Sequence, residues 1–98
     1  MVTDIDLARS ETLAEALGEN AMAAELDVQD EAAWATVLSE VVARYGQLDV
    51  LVNNAGGGGA GNVEETSFDD FRSALKLNLD SVFIGCPPLC SARVRYSL

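Results

Sequence analysis

The sequence predicts an α/β fold with a doubly wound parallel sheet, and three observations support this prediction. Short apolar segments alternate with helical ones in the order β-α-β-α-β-α, the pattern of parallel strands joined by right-handed crossovers. The segment QLDVLVNN is a continuous β-branched and apolar run, as expected of a strand buried on both faces. The length of 98 residues allows at most one small domain, a three-layer unit with helices on both faces of the sheet.

The first half of the chain holds two short strands with a helix between them. MVTDID opens with a β-prone run, and AMAAELDV is a second short apolar segment. Between them, LARSETLAEALGEN predicts a helix that ends near Gly18 and Asn20. We expect Leu7, Leu13 and Leu17 on the inner side of this helix.

The segment DEAAWATVLSEVVARYG gives the clearest helical pattern. Acidic residues lead it, Gly46 closes it, and its apolar residues recur at helical spacing. These residues are Trp34, Val37, Leu38, Val41 and Tyr45. We expect them to form the face of the helix that packs against the sheet.

The last part of the chain predicts a helix and a stop. Ser67 and Asp70 have the spacing of a capping box at the start of FDDFRSALKLNL. The apolar stretch SVFIG continues until Pro87 and Pro88, which are expected to end helical structure.

Composition excludes several classes of function. Hydrophobic content of 49% with 22% charged residues indicates a globular chain, and the net charge is −10. The charge is −12 over residues 1–86 and +2 over residues 87–98. An acidic body disfavours nucleic acid and anionic membranes as partners. No apolar run approaches the length of a membrane span, and the N-terminus does not resemble a signal peptide.

The two cysteines, Cys86 and Cys90, are informative about the redox compartment of the protein rather than about a metal site. The chain contains no histidine, and two thiols alone are a poor zinc site. We interpret them as reduced thiols of a cytoplasmic protein.

Polar residues close all three predicted strands. They are Asp4, Asp27 and the pair Asn53–Asn54. In open α/β sheets ligands bind outside the carboxyl ends of the strands, so this edge is the candidate site. We expect Asp6 and Asp30, by contrast, to cap helices.

Four segments, in this order and spacing, resemble the short-chain dehydrogenase/reductase family. They are VTDID, LDV, LDVLVNNAG and LNLDSVF, and the resemblance covers about residues 1–86. It implies a partial Rossmann-like NAD(P)-binding domain over residues 1–86, followed by a divergent tail over residues 87–98. It also implies an oxidoreductase that exchanges hydride between a nicotinamide cofactor and a small alcohol or carbonyl substrate. Members of this family are often homo-oligomers.

The resemblance assigns the adenosine end of the cofactor to four residues. Asp4 would accept hydrogen bonds from the adenosine ribose, and its charge would repel a 2′-phosphate, which favours NAD over NADP. Ile5 would lie against the adenine. Asp27 would bind the adenine amino group, with Val28 beside the base.

The resemblance assigns the next part of the site to the NNAG segment and one helix. Asn54, Ala55 and Gly56 would line the cofactor ribose, Gly56 because a Cβ would collide there. Asn53 would mainly tie the sheet together, and it could equally be an ordinary sheet-end hydrogen bonder. Asn78 matches the asparagine that holds a water and the catalytic lysine in the family's proton relay. Its alternative role is that of a buried residue at a helix kink.

The glycine run raises a separate question, because Gly56, Gly58 and Gly61 match G-x-G-x-x-G. In the family the phosphate-binding glycines precede the ribose-binding acid by about 20 residues, whereas this run follows a later strand and is followed by two glutamates. We therefore expect only Gly56 to touch the cofactor, and Gly57–Gly61 to form a loop at the mouth of the site.

The catalytic motif of the family, Tyr-x-x-x-Lys, is absent from these 98 residues. The only lysine is Lys76, and neither Tyr45 nor Tyr96 stands four residues before a lysine. There is no fifth strand to carry the family's serine, and a histidine-based triad is impossible. We expect a fragment that is not catalytically competent alone. The alternatives are a non-catalytic interaction module with a partial adenosine pocket, and an inert product of truncation.

The order of strands predicts a gap in the sheet. The doubly wound order is 3-2-1-4-5-6, and this chain supplies the equivalents of strands 2, 3 and 4. The two edges that would face strand 1 are then about 9–10 Å apart. We expect either that strand 2 closes directly against strand 4, or that the chain is only partly ordered.

Overall fold

The computed structural model describes residues 1–58 and 61–91, with side chains described as far as residue 88. The elements are β1 (Val2–Asp4), α1 (Leu7–Leu17), β2 (Ala23–Glu25), α2 (Glu31–Tyr45), α3 (Phe68–Leu75), a π-helical segment (Lys76–Asp80) and α4 (Ser81–Ser91). β1 and β2 pair in parallel, with Val2 opposite Ala23 and Asp4 opposite Glu25. The predicted α/β class with a partial Rossmann-like fold is confirmed. The basic tail residues Arg93 and Arg95 lie outside the described residues.

Helix α1 packs against both strands through small residues rather than through leucines. Its buried residues are Ser10 and Ala14, and the Ser10 hydroxyl donates to the carbonyl oxygens of Leu7 at 2.9 Å and Ala24 at 3.4 Å. The prediction that Leu7, Leu13 and Leu17 are inner residues was wrong, because all three side chains are exposed. They flank the face whose centre is Ser10 and Ala14, and only small side chains let the helix approach the strands this closely.

Helix α2 carries most of the core, as predicted. Trp34, Val37, Leu38 and Val41 are buried, and with Ala24 and Leu26 of the β2 region they form most of the packed interior. The fifth predicted residue, Tyr45, is partly exposed and donates its hydroxyl to the Asn20 carbonyl at 2.8 Å.

Both ends of α2 follow the predicted signals. The Asp30 carboxylate accepts from the amides of Ala32 and Ala33, as an N-cap does. Gly46 ends the helix with φ of 83°, in the left-handed region that glycine adopts without strain. Asp6 caps α1 in the same way by accepting from the Ala8 amide, and Gly18 ends α1 with φ of 102°.

The third predicted strand does not form, which corrects the expectation for QLDVLVNN. Among the described residues the sheet has two strands, and residues 47–58 are in no helix or strand. The segment has the composition of a buried strand, but a ladder needs a neighbouring edge to accept and donate its hydrogen bonds. The predicted direct closure onto β1 has not occurred, and among the described residues only β1 and β2 are paired. The radius of gyration is 15.4 Å, above the roughly 13 Å of a packed domain of this size.

The C-terminal helices begin as predicted and end differently. The Ser67 hydroxyl accepts from the Asp70 amide at 3.1 Å, so Ser67 is the N-cap of α3 as predicted. The Asp70 carboxylate accepts from the Ser67 hydroxyl at 2.7 Å and not from the Ser67 amide, so the second half of the capping box is not formed in the described structure. Pro87 and Pro88 lie inside α4, so the prediction that they stop the helix was wrong. The φ of proline is itself helical, so the ring can be accommodated in a helix, although each proline removes one backbone amide donor. Within the described residues, no helix has the length and apolar character needed to cross a bilayer.

Candidate functional site

One cavity of about 1050 Å³ lies between β1, the start of α2 and the extended segment that follows α2. Seven of the eight residues predicted for the site line it. They are Asp4, Ile5, Asp27, Val28, Asn54, Ala55 and Gly56. The structure therefore brings together residues from three separate parts of the chain, as the strand-end pattern predicts.

The two carboxylates of the cavity rim are held in the same way. The Asp4 Oδ1 accepts from the Asp6 amide at 2.9 Å, and the Asp27 Oδ1 accepts from the Gln29 amide at 3.0 Å. Each bond spans two residues, the geometry of an Asx turn, and fixes the side chain at the end of its strand. In both residues the Oδ2 atom has no hydrogen-bond partner among the described residues. The rim thus offers two oriented acceptors to hydroxyl or amino groups.

Apolar side chains lie beside these acceptors. Ile5 is 67% exposed next to Asp4, and Val28 is half-buried next to Asp27. The Val28 carbonyl accepts from the indole Nε1 of Trp34 at 2.9 Å, which fixes the backbone at this point. An exposed isoleucine beside a carboxylate suits a flat, partly apolar ligand, because burying the side chain against it removes apolar surface from water.

Another group approaches the backbone of Gly56 closely, as predicted, but in this structure that group is the Asn78 side chain rather than a cofactor. A Cβ at this position would lie 2.6 Å from the Asn78 Oδ1, a distance that real Cβ atoms do not adopt. At the next residue, the Gly57 amide donates to the same Oδ1 at 3.1 Å, and the Gly57 carbonyl accepts from the Asn78 Nδ2 at 2.5 Å. The sequence predicted a steric need at Gly56 but did not predict the role of Gly57.

Asn78 lies in the π-helical segment and does not line the cavity. Its Nδ2 also donates to the Ala74 carbonyl at 2.8 Å, so both amide hydrogens are used by the backbone. π-helical turns are frequent at functional sites. In the described structure the side chain joins the loop to the helix, and it is exposed rather than buried as the kink alternative supposed.

The described glycines do not form a phosphate site. The Gly57 amide is taken by Asn78, and Glu64 and Glu65 follow the loop. Gly59 lies outside the described residues. Asn53 lines the cavity, yet it makes no hydrogen bond to the described part of the chain, so its predicted tie to the sheet is not formed. Arg9 also lines the cavity and supplies a cation that the sequence pattern did not indicate.

Within the described residues, no group of three or more acidic or cysteine side chains could hold a metal ion. The hydroxyl of Tyr45 donates to a backbone carbonyl, and Cys86 is an exposed free thiol. The arrangement can therefore orient a polyhydroxyl or amino-bearing ligand, and it presents no paired acid and base for proton transfer.

Comparison with known proteins gives a consistent result. The model of the family described as short chain dehydrogenase matches residues 1–92. A 3-beta-hydroxysteroid dehydrogenase of Comamonas testosteroni is 46% identical over 84 residues, which are 86% of this chain and 33% of that protein. An NADP-dependent (R)-specific alcohol dehydrogenase of Lentilactobacillus kefiri is 37% identical over 59 residues, 60% of this chain and 23% of that one.

A solved structure supports the same relationship. A doubly substituted short-chain dehydrogenase/reductase of Serratia marcescens superposes with a TM-score of 0.76 at 32% identity, over 92% of this chain and 38% of that chain. The chain spans about a quarter to a third of the length of the curated relatives it matches.

Proposed function

Because this chain belongs to the short-chain dehydrogenase family, we propose that its cavity rim is the adenosine-binding part of an NAD-preferring oxidoreductase. The whole protein would exchange hydride between the cofactor and a small alcohol or carbonyl substrate. The observation that supports this proposal is the convergence of Asp4, Asp27 and Asn54 on one cavity.

Each residue at the rim has a role that its geometry permits. The outward Oδ2 of Asp4 would accept from the ribose hydroxyls, and its charge would disfavour a 2′-phosphate at the same place. The Oδ2 of Asp27 would accept from the adenine amino group, with Ile5 and Val28 against the faces of the base. Asn54, Ala55 and Gly56 would lie along the ribose at the far side of the cavity. The bound cofactor would supply the hydride chemistry.

The described residues fit the adenosine half of the cofactor better than the pyrophosphate. Two oriented acceptors and adjacent apolar side chains match a ribose and an adenine. The Gly57 amide, which could have bound a phosphate oxygen, already donates to Asn78. Anion binding needs free backbone donors or cations, and the rim carries two carboxylates. We therefore propose weak binding to the chain, on the order of millimolar.

Catalysis is not proposed for these residues alone. Neither the tyrosine nor the lysine of the described chain is arranged as an acid/base pair, since the Tyr45 hydroxyl is committed to Asn20. Asn78 would act as a positioning residue that fixes the loop beside the cofactor, rather than as a proton carrier. A second candidate, a non-catalytic interaction module, is favoured by the exposed apolar side chains of residues 50–52.

The test is a titration of the 98-residue chain with four ligands, followed by calorimetry and by Trp34 fluorescence. We expect saturation by NAD and by adenosine with similar affinities, and no saturation by NADP or by nicotinamide mononucleotide. Asp4→Ser should weaken NAD and adenosine binding about tenfold, since a hydrogen bond to a charged group is lost. Asp69→Ser is the matched control, because Asp69 lies in α3 and does not line the cavity.

Two results would refute the proposal. One is tighter binding of NADP than of NAD. The other is equal loss of affinity in Asp4→Ser and Asp69→Ser, which would indicate a general effect of charge. The absence of a saturable signal for any ligand would favour the inert alternative over both the cofactor site and the interaction module with its partial adenosine pocket.

A further inference from the structure

The outer edge of β2 has backbone groups that no described residue satisfies. Met22 and Leu26, which flank β2, form backbone hydrogen bonds to β1. Because backbone groups alternate in direction along a strand, those of Ala23 and Glu25 point away from β1. Within the described part of the chain they have no hydrogen-bond partner. In the doubly wound order 3-2-1-4-5-6, β2 is the equivalent of strand 3, so this open edge is an outer edge of the whole sheet.

A groove of about 510 Å³ follows this edge, between α1 and α2. The side chain of Ala24 packs with the buried residues of α2, and successive side chains of a strand point to opposite faces, so Glu25 lies on the α1 side. The α1 wall of the groove therefore carries the carboxylates of Glu11 and Glu25. The α2 wall presents the apolar side chains of Ala33 and Val37. One wall is charged and the other is largely apolar at its centre.

The size of the groove matches a short extended segment. With about 4.8 Å between strands, about 10 Å between layers and a rise of about 3.3 Å, one extended residue occupies roughly 160 Å³. The groove therefore holds about three residues of an added strand, and β2 itself has three residues. An added strand would direct alternate side chains to the two walls.

Charge selects the occupant of the groove. Five acidic residues and no basic residue line it: Glu11, Glu25, Asp27, Asp30 and Glu40. The carboxylates of Glu11, Glu25 and Glu40 make no hydrogen bond or ion pair with any other described residue. A second copy of this chain, paired edge to edge, would place Glu25 near its own counterpart, and like charges opposite each other destabilise a strand pair. A basic segment would be attracted instead.

We infer that the outer edge of β2 binds in trans an extended basic segment of another protein, in which arginine or lysine alternates with small apolar residues. The backbone of the segment pairs with Ala23 and Glu25. Its basic side chains lie against Glu11 and Glu25, and its apolar side chains lie against Ala33 and Val37. This activity is separate from nucleotide binding, because it uses the edge of the sheet that lies away from β1.

The probe is a synthetic peptide, blocked at both ends, of three arginines alternating with three valines. We expect saturable binding to the 98-residue chain, with a Kd on the order of 0.1 mM at physiological salt, measured by calorimetry. Amide exchange gives the position of the peptide. Exchange at Ala23 and Glu25 should slow when peptide is bound, whereas exchange at Ala24, whose backbone is directed to β1, should not change.

Two control peptides separate strand addition from simple attraction between charges. The first has the same composition with the arginines and valines in separate blocks. It should bind about fivefold more weakly, because fewer of its arginines can face the α1 wall. The second has proline in place of the central valine and should also bind more weakly, since proline lacks a ladder donor and restricts the backbone.

Two double variants of the chain form a matched pair. Glu11→Gln with Glu25→Gln removes both carboxylates of the α1 wall and should weaken peptide binding about fivefold. Glu64→Gln with Glu65→Gln makes the same change of charge at exposed residues that do not line the groove, and should leave binding unchanged. All four positions are exposed, so the circular dichroism of the variants should match that of the parent chain.

Four outcomes would overturn the proposal. The first is the absence of saturable peptide binding by a folded chain. The second is equal weakening in the two double variants, which would indicate general attraction to an acidic protein. The third is slowed exchange at amides elsewhere and not at Ala23 and Glu25. The fourth is concentration-dependent dimerisation, measured by sedimentation, that the peptide does not disrupt, which would identify a second copy of this chain as the occupant.

Discussion

The carboxamide of Asn78 pairs with both backbone groups of Gly57, although 21 residues separate them in the chain. The same oxygen lies where a Cβ on Gly56 would be placed, at 2.6 Å. Because the Asn78 amide hydrogens are also shared with Ala74, the side chain cannot turn away without losing bonds. One helix residue therefore fixes the end of the candidate cofactor-binding loop, and its effect can be measured.

Gly56→Ala should detach the loop from the helix. The added methyl group displaces the Asn78 carboxamide, so we expect a loss of about 1 kcal/mol in the free energy of unfolding and faster exchange of the Gly57 amide. Gly58→Ala is the matched control, since no atom lies within 4 Å of a Cβ there. In an Asn78→Ala background the Gly56→Ala cost should largely vanish. An undiminished cost there would show that the contact with Asn78 is not its cause.

Gly85→Ala should destabilise the packing of α4 on α2. A Cβ at Gly85 would lie 3.0–3.2 Å from ring atoms of Trp34, which is only 4% exposed and is held by the bond from its Nε1 to the Val28 carbonyl. Overpacking of this kind costs about 1–3 kcal/mol. The sign of the change in the free energy of unfolding distinguishes the two effects. Without the contact, alanine would stabilise the helix by about 1 kcal/mol relative to glycine. Urea unfolding followed by Trp34 emission checks it, and increased stability would contradict the contact.

Ser10→Val should separate α1 from the sheet. Ser10 is 1% exposed and lies between the helix and β2, so a larger, branched side chain would be expected to cost about 1–3 kcal/mol. Ser39→Val makes the same chemical change on an exposed helix face, where the hydroxyl bonds only to Ala35. Thermal unfolding of the two variants should differ clearly. Similar losses would mean that helix propensity, rather than packing, sets the effect.

Asp30→Ala should shorten or weaken the main helix of the core. Its carboxylate satisfies the amides of Ala32 and Ala33, and removal of such a cap costs about 1 kcal/mol. Asp30→Asn keeps an acceptor oxygen while it removes the charge, and should retain most of the stability. Helical circular dichroism during chemical unfolding distinguishes the two. A loss in Asp30→Asn as large as in Asp30→Ala would assign the effect to charge rather than to the cap.

Local signals in the sequence predicted the helices well. Caps such as Asp6, Asp30 and the Ser67–Asp70 pair lie within a few residues of the groups they satisfy, so a short pattern contains both partners. The apolar face of α2 follows in the same way from its own spacing. Asp4 and Asp27 both line one cavity, as expected for residues that follow the carboxyl ends of neighbouring parallel strands. That expectation depends only on the parallel direction of the segments.

The features that the sequence did not reveal depend on distant partners. Residues 47–54 have the composition of a strand, but pairing requires an adjacent edge, and no pattern within the segment shows whether one is present. The leucines of α1 were expected to be buried because of their hydrophobicity, whereas the distance between helix and strands selects Ser10 and Ala14. The pairing of Gly57 with Asn78 leaves no local pattern at all.

Trp34 lies at a junction of three parts of the chain. Its ring closes over Gly85 of α4, its indole nitrogen binds the backbone of Val28, and its neighbours on α2 form the floor of the cavity. The only tryptophan of the sequence is thus a built-in optical reporter. Undocking of the C-terminal helix would be expected to shift its emission to longer wavelengths as the ring meets water, whereas a molecule bound in the cavity would change its intensity. A single spectrum can therefore distinguish loosening of the C-terminal helix from occupation of the cavity, with no label attached.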